Sequence, residues 1–351
     1  MSKKKLLVTG SAGLIGSEVI ECLYQDYDSI YGIDNNQRKI FFGSSGDIKK
    51  RKIEIQKKFK NYTHIDLDIR DRKKVLDLFE SLKPDDVVHC AAQPSHDLAA
   101  KIPFDDFDIN AGATLNILES IRKFCPKASI VYLSTNKVYG DGPNNLKIKE
   151  LETRYTFADP LFKNGISENF SIDHCKHSLF GASKLSADIL VQEYGRYFNI
   201  NSCCLRGGCL TGANHSGVEL HGFLNYLIKC NIQKKNYTIF GYKGKQVRDN
   251  LHSRDVASFI RLFLNKPKVA EVYNLGGGEK NSISIIEAFK LVEKVSGIKM
   301  LSNYKNESRI GDHICYISDL SKIKKDFPEW NVTVGLKEII EEIVEKSKYK
   351  R

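Results

Sequence analysis

A glycine-rich loop between an apolar run and a helical pattern is the feature that most constrains the fold of this chain. Residues 6–8 predict a strand buried on both faces, and Gly10, Gly13 and Gly16 follow it directly. Glycine permits a tight turn at Gly10, a close approach of the backbone to a pyrophosphate at Gly13, and close packing of the new helix at Gly16. The N–H groups and the dipole of that helix favour a phosphate at its N-terminus. The pattern predicts a dinucleotide-binding βα unit.

An acidic residue ends the second predicted strand, about twenty residues after the loop. Residues 29–33 form the apolar run, and Asp34 follows it directly. A carboxylate at this place accepts hydrogen bonds from an adenosine ribose and repels a 2′-phosphate, which favours NAD over NADP. Arg38 lies nearby in the sequence and keeps NADP open. The other interpretation is a glycine-rich turn in an unrelated α/β protein.

The composition indicates a globular protein without a membrane span or a metal centre. The 351 residues are 41% hydrophobic, and no apolar stretch is long enough to span a bilayer or to act as a signal, so we expect a cytoplasmic protein. The nine cysteines have no zinc-ligand spacing, so we expect reduced thiols and no metal site. The net charge of +11 comes from dispersed lysines, which predicts a solvated basic face and no nucleic acid or membrane partner.

Apolar runs and helical stripes alternate through the first part of the chain, which predicts a doubly wound parallel α/β (Rossmann) sheet. From residue 206 the alternation becomes irregular, which predicts a smaller C-terminal substrate lobe. We expect the NAD-binding domain at residues 1–210 with 236–275, and the substrate lobe at 211–235 and 276–351. Strands are predicted at 64–67, 86–92, 128–133 and 200–205, helices at 74–82, 108–124 and 178–197, and a lid or binding segment at 141–177.

Two strand ends add further residues to the predicted cofactor site. Asp68 and Ile69 follow the third strand, where an adenine is expected, although a helix N-cap at Asp71 is an equally physical use of this stretch. Ala91 and Ala92 end the predicted fourth strand, and their small side chains leave room for a cofactor. The substrate is expected at these carboxyl ends of the strands, between the two lobes.

Six motifs in order resemble the extended short-chain dehydrogenase/reductases that act on nucleotide sugars. The resemblance runs from about residue 4 to about residue 335. The motifs are Thr9-Gly10-x-x-Gly13-x-x-Gly16, His89-x-Ala91-Ala92, Ser134-Thr135-x-x-Val138-Tyr139-Gly140, Gly181-Ala182-Ser183-Lys184, Gly241-x-x-Gly244-x-x-x-Arg248-Asp249-x-x-His252-x-x-Asp255 and Tyr273-Asn274-Leu275-Gly276-Gly277.

The resemblance implies an isomerase with tightly held NAD, which oxidises a sugar carbon transiently and returns the hydride to the other face. Within the family, the sequence in and around these motifs is most similar to that of epimerases acting at C2 of a CDP-hexose. A nucleotide-diphosphate sugar is therefore the implied substrate. A homodimer through helices 108–124 and 178–197 is also implied. The implied cofactor-binding residues are Gly10, Gly13, Leu14, Ile15, Gly16, Asp34, Asn35, Arg38, Asp68, Ile69, Ala91, Ala92, Gln93, Asn110 and Lys184.

The chain departs from the family at the position of the tyrosine that removes the proton of the sugar hydroxyl. The family has Tyr-x-x-x-Lys, whereas this chain has Phe180 before Lys184, and a phenyl ring cannot accept a proton. Three hypotheses follow: a relocated base, a changed reaction such as 4-epimerisation or dehydration, or a catalytically silent NAD-loaded binding protein. For the relocated base, His177 is the first candidate because imidazole is the side chain whose ordinary pKa lies near neutrality. Asp173, Cys175 and Lys184 are the others.

The resemblance also assigns the remaining site residues. Thr135 is expected to hydrogen-bond the reacting oxygen, and Lys184 to bond the nicotinamide ribose; together with His177 they form the predicted catalytic set. Arg248 and Arg309 match the arginines of the family that bind the substrate pyrophosphate, since a planar guanidinium suits phosphate oxygens. The other interpretation is an ion pair with Asp249 or Asp312. Cys209 stands where relatives often have asparagine. The predicted substrate-binding residues are Asn136, Lys137, Phe180, Asn214, Arg248 and Arg309.

Overall fold

The computed structural model describes residues 4–215, 217–218, 222–308 and 311–348. Its strands are β1 (Lys5–Thr9), β2 (Ser29–Ile33), β3 (Tyr62–Ile65), β4 (Asp86–His89), β5 (Ser129–Thr135), β6 (Ile148–Glu150), β7 (Tyr155–Phe157), β8 (Ser202–Gly207), β9 (Cys209–Thr211), β10 (Asn236–Phe240), β11 (Val247–His252), β12 (Glu271–Leu275), β13 (Ser282–Ser284), β14 (Leu301–Lys305) and β15 (Cys315–Tyr316). Its α-helices are α1 (Leu14–Leu23), α2 (Gln37–Phe42), α3 (Lys49–Lys58), α4 (Arg72–Leu82), α5 (His96–Ala99), α6 (Pro103–Phe107), α7 (Ala113–Phe124), α8 (Ser178–Phe198), α9 (Phe223–Ile232), α10 (Ser253–Asn265), α11 (Ile285–Ser296), α12 (Ser321–Asp326) and α13 (Leu336–Lys348).

A seven-stranded sheet with the order β12-β8-β5-β4-β1-β2-β3 organises the first part of the chain. The chain runs outward from β1 through β2 to β3, and then returns to the other side of β1 with β4 and β5. The pairs β1–β2, β2–β3, β1–β4 and β4–β5 are parallel. The strand order therefore reverses between β1 and β4, which is where ligands bind in open α/β sheets. The predicted doubly wound parallel sheet is confirmed.

The apolar runs fill both faces of this sheet, as their sequence predicts. Leu7 of β1, Val87 of β4 and Ile130 of β5 are fully buried in one cluster with Phe79 of α4 and Ile117 of α7. Burying each such side chain contributes about 1.5–3 kcal/mol, so the sheet and its helices form together. The carboxyl ends of β1, β4 and β5 are thereby held at one edge.

The chain divides into two compact units. Unit 1 comprises Met1–Val138, Leu179–Arg206 and Val256–Tyr273, and unit 2 comprises Tyr139–Ser178, Gly207–Asp255 and Asn274–Arg351. These units group residues 139–178 and 236–255 with the C-terminal part of the chain, whereas the sequence prediction placed both segments in the NAD-binding domain. Which of these segments bind NAD and which bind the substrate remains a prediction.

Unit 2 has its own apolar core and small sheets. Leu227 of α9, Val292 of α11 and Ile340 of α13 are fully buried in one cluster. Strand β11 pairs with β13, β15 and β9, β10 pairs with β14, and β6 with β7 forms a hairpin. That hairpin lies in the segment 141–177, for which the sequence has no clear period. No helix in the described ranges is long and apolar enough to cross a bilayer.

The last residue of the fifth motif has a structural role in unit 2. The Asp255 carboxylate is buried and accepts hydrogen bonds from the backbone N–H groups of Thr333 and Val334, at 3.0 and 3.2 Å, and from the Thr333 hydroxyl. The indole of the buried Trp330 donates to the Asp255 carbonyl at 3.0 Å. Asp255 thus anchors the segment that leads into α13.

We expect Asp255→Ala to lower the free energy of unfolding by about 3 kcal/mol, because it leaves buried donors without their charged acceptor. Urea denaturation followed by circular dichroism measures this change. Asp77→Ala, which removes an exposed carboxylate paired with Lys73, is the control and should leave the midpoint nearly unchanged. Equal midpoints for both variants would contradict the anchoring role of Asp255.

Candidate active site

The glycine-rich loop forms a tight cradle at the end of β1. Gly10 has a φ of +64°, and its carbonyl accepts from the Gly13 N–H at 3.0 Å. A Cβ atom at Gly16 would lie 2.3 Å from the Gly10 oxygen, so only glycine fits there. Helix α1 begins at Leu14, and Leu14 and Ile15 are half-buried in its first turn. The backbone at this helix N-terminus fits the pyrophosphate of a dinucleotide.

Asp34 is fixed against this loop at the end of β2. Its carboxylate accepts from the backbone N–H of Ala12 at 3.1 Å and of Asn36 at 2.9 Å, and burial raises its pKa. Asn35 accepts from the backbone N–H that begins α2, and the Arg38 guanidinium lies 4.9 Å from the centre of the Phe42 ring. Asp34 therefore lies beside the phosphate cradle, where the predicted ribose contact requires it.

The end of β3 shows one of the two uses that the sequence left open. The Asp68 carboxylate is bound by the Arg70 guanidinium at 2.8 Å, and the Ile69 side chain is buried in the core of unit 1. Asp71 caps α4 by accepting from the Lys74 N–H at 3.2 Å. The helix cap is therefore present, and the adenine contacts of Asp68 and Ile69 remain predictions.

A chain of hydrogen bonds ties β1, β4 and α7 together and fixes the state of His89. The Thr114 hydroxyl donates to the Asn110 carbonyl at 2.6 Å, so its oxygen accepts from His89 Nε2 at 3.0 Å. His89 Nδ1 then accepts from the Thr9 hydroxyl at 2.6 Å, and the Thr9 oxygen accepts from the Ala91 N–H at 3.1 Å. Burial, with the charge of Lys184, lowers the pKa of His89 to about 3, so the ring is neutral.

A π-helical turn, Asp108–Gly112, precedes α7 and turns Asn110 inward; the sequence predicts one continuous helix here. Asn110 Oδ1 accepts from the Gln93 N–H at 3.0 Å, and Asn110 Nδ2 lies 3.1 Å from both Asp106 Oδ1 and Ser183 Oγ. Single π turns occur frequently at functional sites. Asn110 and Gln93, both predicted cofactor residues, are thus in direct contact. Asp106 and Ser183 were absent from the predicted site.

Lys184 lies deep in unit 1, below the end of β5. Its Nζ donates to the Leu133 carbonyl at 2.6 Å and lies 4.2 Å from the centre of the Tyr132 ring. Burial lowers the pKa of Lys184 to about 8. Thr135 ends β5, and its Oγ1 accepts from the Lys137 N–H at 3.2 Å. The predicted residues Lys184 and Thr135 thus belong to one strand end, because Lys184 is held two residues before Thr135.

A buried ion pair lies one helical turn beyond Lys184. The Asp188 carboxylate accepts from Arg206 Nη2 at 3.0 Å and from the Ser134 hydroxyl at 2.5 Å, and Gln192 Nε2 donates to it at 2.7 Å. Arg206 comes from β8 and Ser134 from β5. Breaking such a pair leaves an uncompensated buried charge, so the pair fixes α8 against these strands.

The tyrosine position and His177 fall on either side of the boundary between the units. Phe180 is buried in the first turn of α8, and its carbonyl accepts from the Ser183 hydroxyl at 3.1 Å. In unit 2, His177 Nε2 lies 2.8 Å from the Ile172 carbonyl, so this nitrogen carries a proton and donates it. The Cys175 sulfur lies 3.5 Å from the same nitrogen. Nε2 of His177 is therefore engaged as a hydrogen-bond donor to the backbone.

The predicted substrate residues of unit 2 are held by neighbouring side chains. Arg248 forms an ion pair with Asp312, and its Nη1 donates to the Val247 carbonyl at 2.7 Å. The Asn214 amide oxygen contacts the Lys346 ammonium. Asp249 is buried and accepts from backbone N–H groups, so it is not the ion-pair partner of Arg248. Arg309 lies outside the described residues.

The comparison with known families agrees with this geometry. The model of the NAD dependent epimerase/dehydratase family matches residues 6–276. The chain belongs to this family. The NAD dependent epimerase/dehydratase match ends just beyond β12, so it includes the seven-stranded sheet except for Lys5, the first residue of β1.

Relatives cover almost the full length of the chain. The chain is 33% identical to CDP-paratose 2-epimerase of Salmonella typhi over 97% of this chain and 98% of that protein. It is 27% identical to dTDP-glucose 4,6-dehydratase of Salmonella typhimurium, over 92% and 87% of the two chains. Its structure is similar, with a TM-score of 0.81, 26% identity and coverage of 99% and 100%, to a tyrosine-to-phenylalanine mutant of UDP-glucuronic acid 4-epimerase from Bacillus cereus in complex with UDP-4-deoxy-4-fluoro-glucuronic acid and NAD.

The cofactor of this epimerase/dehydratase family member is NAD. The family is NAD-dependent, and the similar structure from Bacillus cereus contains NAD. The residues of unit 1 fit this molecule, since Gly16 leaves a cradle that a side chain would fill and Asp34 lies beside it. Which individual atoms contact NAD remains a prediction.

We expect Gly16→Ala to weaken NAD binding at least about tenfold, because the new methyl group forces the loop and α1 apart. Isothermal titration with NAD measures the dissociation constant. Gly335→Ala is the matched control, since a Cβ atom there meets no atom within 4 Å. Unchanged affinity in Gly16→Ala would contradict the assignment of this loop.

Proposed function

We propose that the chain is an NAD-dependent nucleotide-sugar epimerase that acts at C2 of a CDP-hexose. The observation that carries this proposal is the similarity to CDP-paratose 2-epimerase, which extends over 97% of this chain. Bound NAD⁺ supplies a hydride acceptor and donor, so the reaction has no net redox change. The protein then has to bind the sugar, orient its reacting hydroxyl and move one proton.

Thr135 is proposed to orient the reacting oxygen. Its Oγ1 accepts from the Lys137 backbone, and its hydroxyl lies 3.4 Å from the Asn136 amide oxygen. That contact is long, so a sugar oxygen can replace it as the acceptor. We propose that Asn136 and Lys137, which follow directly, bind the substrate.

Lys184 is the base that the local chemistry favours. Because its pKa is lowered to about 8, a substantial fraction of this side chain is neutral just above neutral pH. Phe180 is one helical turn away on α8, so a proton that the family gives to tyrosine is taken up by the lysine. After hydride return, the same ammonium gives the proton back to the sugar oxygen.

His177 is the second candidate for the base. Its Nε2 donates to the Ile172 carbonyl, so this nitrogen does not act as the base. Asp173 is exposed, and burial raises the pKa of the Cys175 thiol, which keeps it protonated at neutral pH. These two are therefore weaker candidates.

We expect Lys184→Arg to lower turnover at least about 100-fold while NADH binding stays within about fivefold, because arginine keeps the charge but cannot lose its proton. His177→Ala should stay within about threefold of wild type. Proton NMR in D₂O with CDP-paratose or CDP-tyvelose follows the conversion. Retention of hydrogen at C2 distinguishes hydride return from enolisation.

Each outcome assigns a different base or function. Full activity in Lys184→Arg together with lost activity in His177→Ala would assign the base to His177. Conversion with deuterium at C2 would contradict transient oxidation at that carbon. No conversion by wild type, with the nucleotide sugar bound, would contradict the 2-epimerase and lead to a panel of UDP- and dTDP-sugars.

Two alternatives rest on specific residues. A 4-epimerase or a dehydratase is the enzymatic alternative, since a dehydratase is among the relatives. Dehydratases often have Asp-Glu or Asp-Lys after the threonine, whereas Thr135 is followed by Asn136 and Lys137. A silent NAD-loaded binding protein is the other, because of Phe180. Phe180→Tyr separates it, since a silent scaffold gains turnover and an enzyme with a relocated base does not.

We also propose a phosphate site and a homodimer. Arg248 and Arg309 would bind the substrate pyrophosphate, whose oxygens would compete with Asp312 for the Arg248 guanidinium. Asn214 would cover the sugar. For the dimer, α8 carries the partly exposed apolar side chains of Ile189 and Phe198 on its surface. Size-exclusion chromatography with light scattering tests this, and a monomer at micromolar concentration contradicts it.

A further inference from the structure

A buried carboxylate on α6 lies outside every role given above. Asp106 is 1% exposed, and three neutral groups donate hydrogen bonds to it. Gln93 Nε2 and Asn110 Nδ2 lie 2.7 and 3.1 Å from its Oδ1, and the Ser183 hydroxyl lies 2.6 Å from its Oδ2. Burying a carboxylate costs free energy unless hydrogen bonds compensate for the lost water. The three donors are therefore held in one arrangement around Asp106.

The three donors come from three segments of unit 1. Gln93 belongs to the loop after β4, Asn110 to the π-helical turn, and Ser183 to the second turn of α8. The loop after β4 is a predicted cofactor segment, and Ser183 directly precedes Lys184 in the sequence. A displacement of Asp106 therefore changes the distance between the cofactor loop and the lysine helix.

The charge of Asp106 also acts on Lys184. Burial raises the pKa of Asp106 and lowers the pKa of Lys184 to about 8, and each charge favours the charged form of the other. The other titratable groups that act on this pair are Asp188, Cys204, Cys90, His89 and Tyr132.

We propose that Asp106 is a positioning residue of the site, which holds the cofactor loop to the second turn of α8 and places a negative charge near Lys184. The inference deepens the proposed function and rests on it, because it takes Lys184 as the group that contacts the nicotinamide ribose and the reacting hydroxyl. Asp106 acts through its protein neighbours, because its carboxylate is bound by Gln93, Asn110 and Ser183.

Asp106→Asn removes this charge and keeps the hydrogen bonds. The amide oxygen can still accept from Gln93 and Asn110. The Ser183 hydroxyl can donate to the Phe180 carbonyl at 3.1 Å instead and accept from the new amide. Asp108→Asn is the matched control, since Asp108 is exposed two residues further along.

NADH fluorescence titration across pH is the main test, because it needs no substrate. In wild type, affinity should fall as pH rises through the pKa of Lys184. Removing a nearby negative charge disfavours the ammonium, so in Asp106→Asn the midpoint of this fall should move to lower pH by about half a unit or more. Asp108→Asn should keep the wild-type midpoint. An unmoved midpoint in Asp106→Asn would overturn the electrostatic part of the proposal.

The pH dependence of the melting temperature is a second test of the negative charge on Asp106. Because burial raises the pKa of Asp106 in the folded protein, its stabilising contribution is full at low pH and is lost as pH rises through the folded pKa. The melting temperature of Asp106→Asn relative to wild type should therefore increase between about pH 4 and pH 8. A difference that is constant across this range would indicate a purely structural contact.

Ser183→Ala tests the link to α8, and it remains informative if Asp106→Asn does not fold. Loss of the Ser183 hydroxyl should raise the dissociation constant of NADH at least about fivefold. Ser186→Ala is the control, since Ser186 is half-buried on the same helix and its hydroxyl donates to the Ala182 carbonyl of its own helix. Equal NADH affinity in both variants would overturn the positioning role.

The epimerase assay separates this inference from the proposed function. If wild type converts no nucleotide sugar but the NADH midpoint moves in Asp106→Asn, the positioning role stands and the epimerase proposal fails. If wild type is active and the pH profile of kcat/KM is the same in wild type and Asp106→Asn, the positioning role fails and the epimerase proposal stands.

Discussion

The close approach of α1 to the end of β1 is the constraint on which the rest of unit 1 depends. With the Gly10 carbonyl 2.3 Å from any Cβ atom at Gly16, the helix lies directly on the turn. This contact sets where the helix N-terminus points, and the parallel register then places the ends of β2 and β4 around it. The phosphate cradle, Asp34 and the loop after β4 are consequences of one packing distance.

Beneath this cradle the fold buries several charges of both signs. Asp106, Lys184, Asp188 and Arg206 are nearly inaccessible to solvent, and side-chain or backbone groups satisfy each of them. Pairing and hydrogen bonding offset the desolvation cost only with good geometry, so none of these groups can move alone. Burial at this place also lowers the pKa of Lys184 to about 8.

Local sequence patterns predict the sheet because each signal is short-range. The glycine spacing, the apolar runs and Asp34 specify the βα units without reference to distant residues. The buried network around Asp106 was not predictable in this way, since Gln93, Asp106 and Ser183 meet only after the strands have paired. The π-helical turn also escaped prediction, because the residues around Asn110 fit a regular helical period equally well.

Some residues of the family motifs stabilise the fold through hydrogen bonds to neighbouring segments. Asp255 anchors the chain before α13, and His252 Nδ1 accepts from the Arg254 N–H at 3.0 Å. A motif records that a residue type is needed at a position, and its physical use becomes clear only from its partners. In this chain the fifth motif contains both Arg248, a substrate candidate, and Asp255, a structural anchor.

The π-helical turn before α7 makes the length of this segment as important as its composition. Its hydrogen bonds span five residues, whereas those of an α-helix span four, so the turn holds one extra residue. Asn110 lies within this turn and accepts from the Gln93 N–H. Deleting a single residue would rotate all of α7 by about 100° relative to the sheet. Thr114 would then lose its hydrogen bond with His89, and the apolar face of α7 would no longer pack in the core. Substitutions in this segment are therefore local events, whereas a change of length by one residue alters the whole helix.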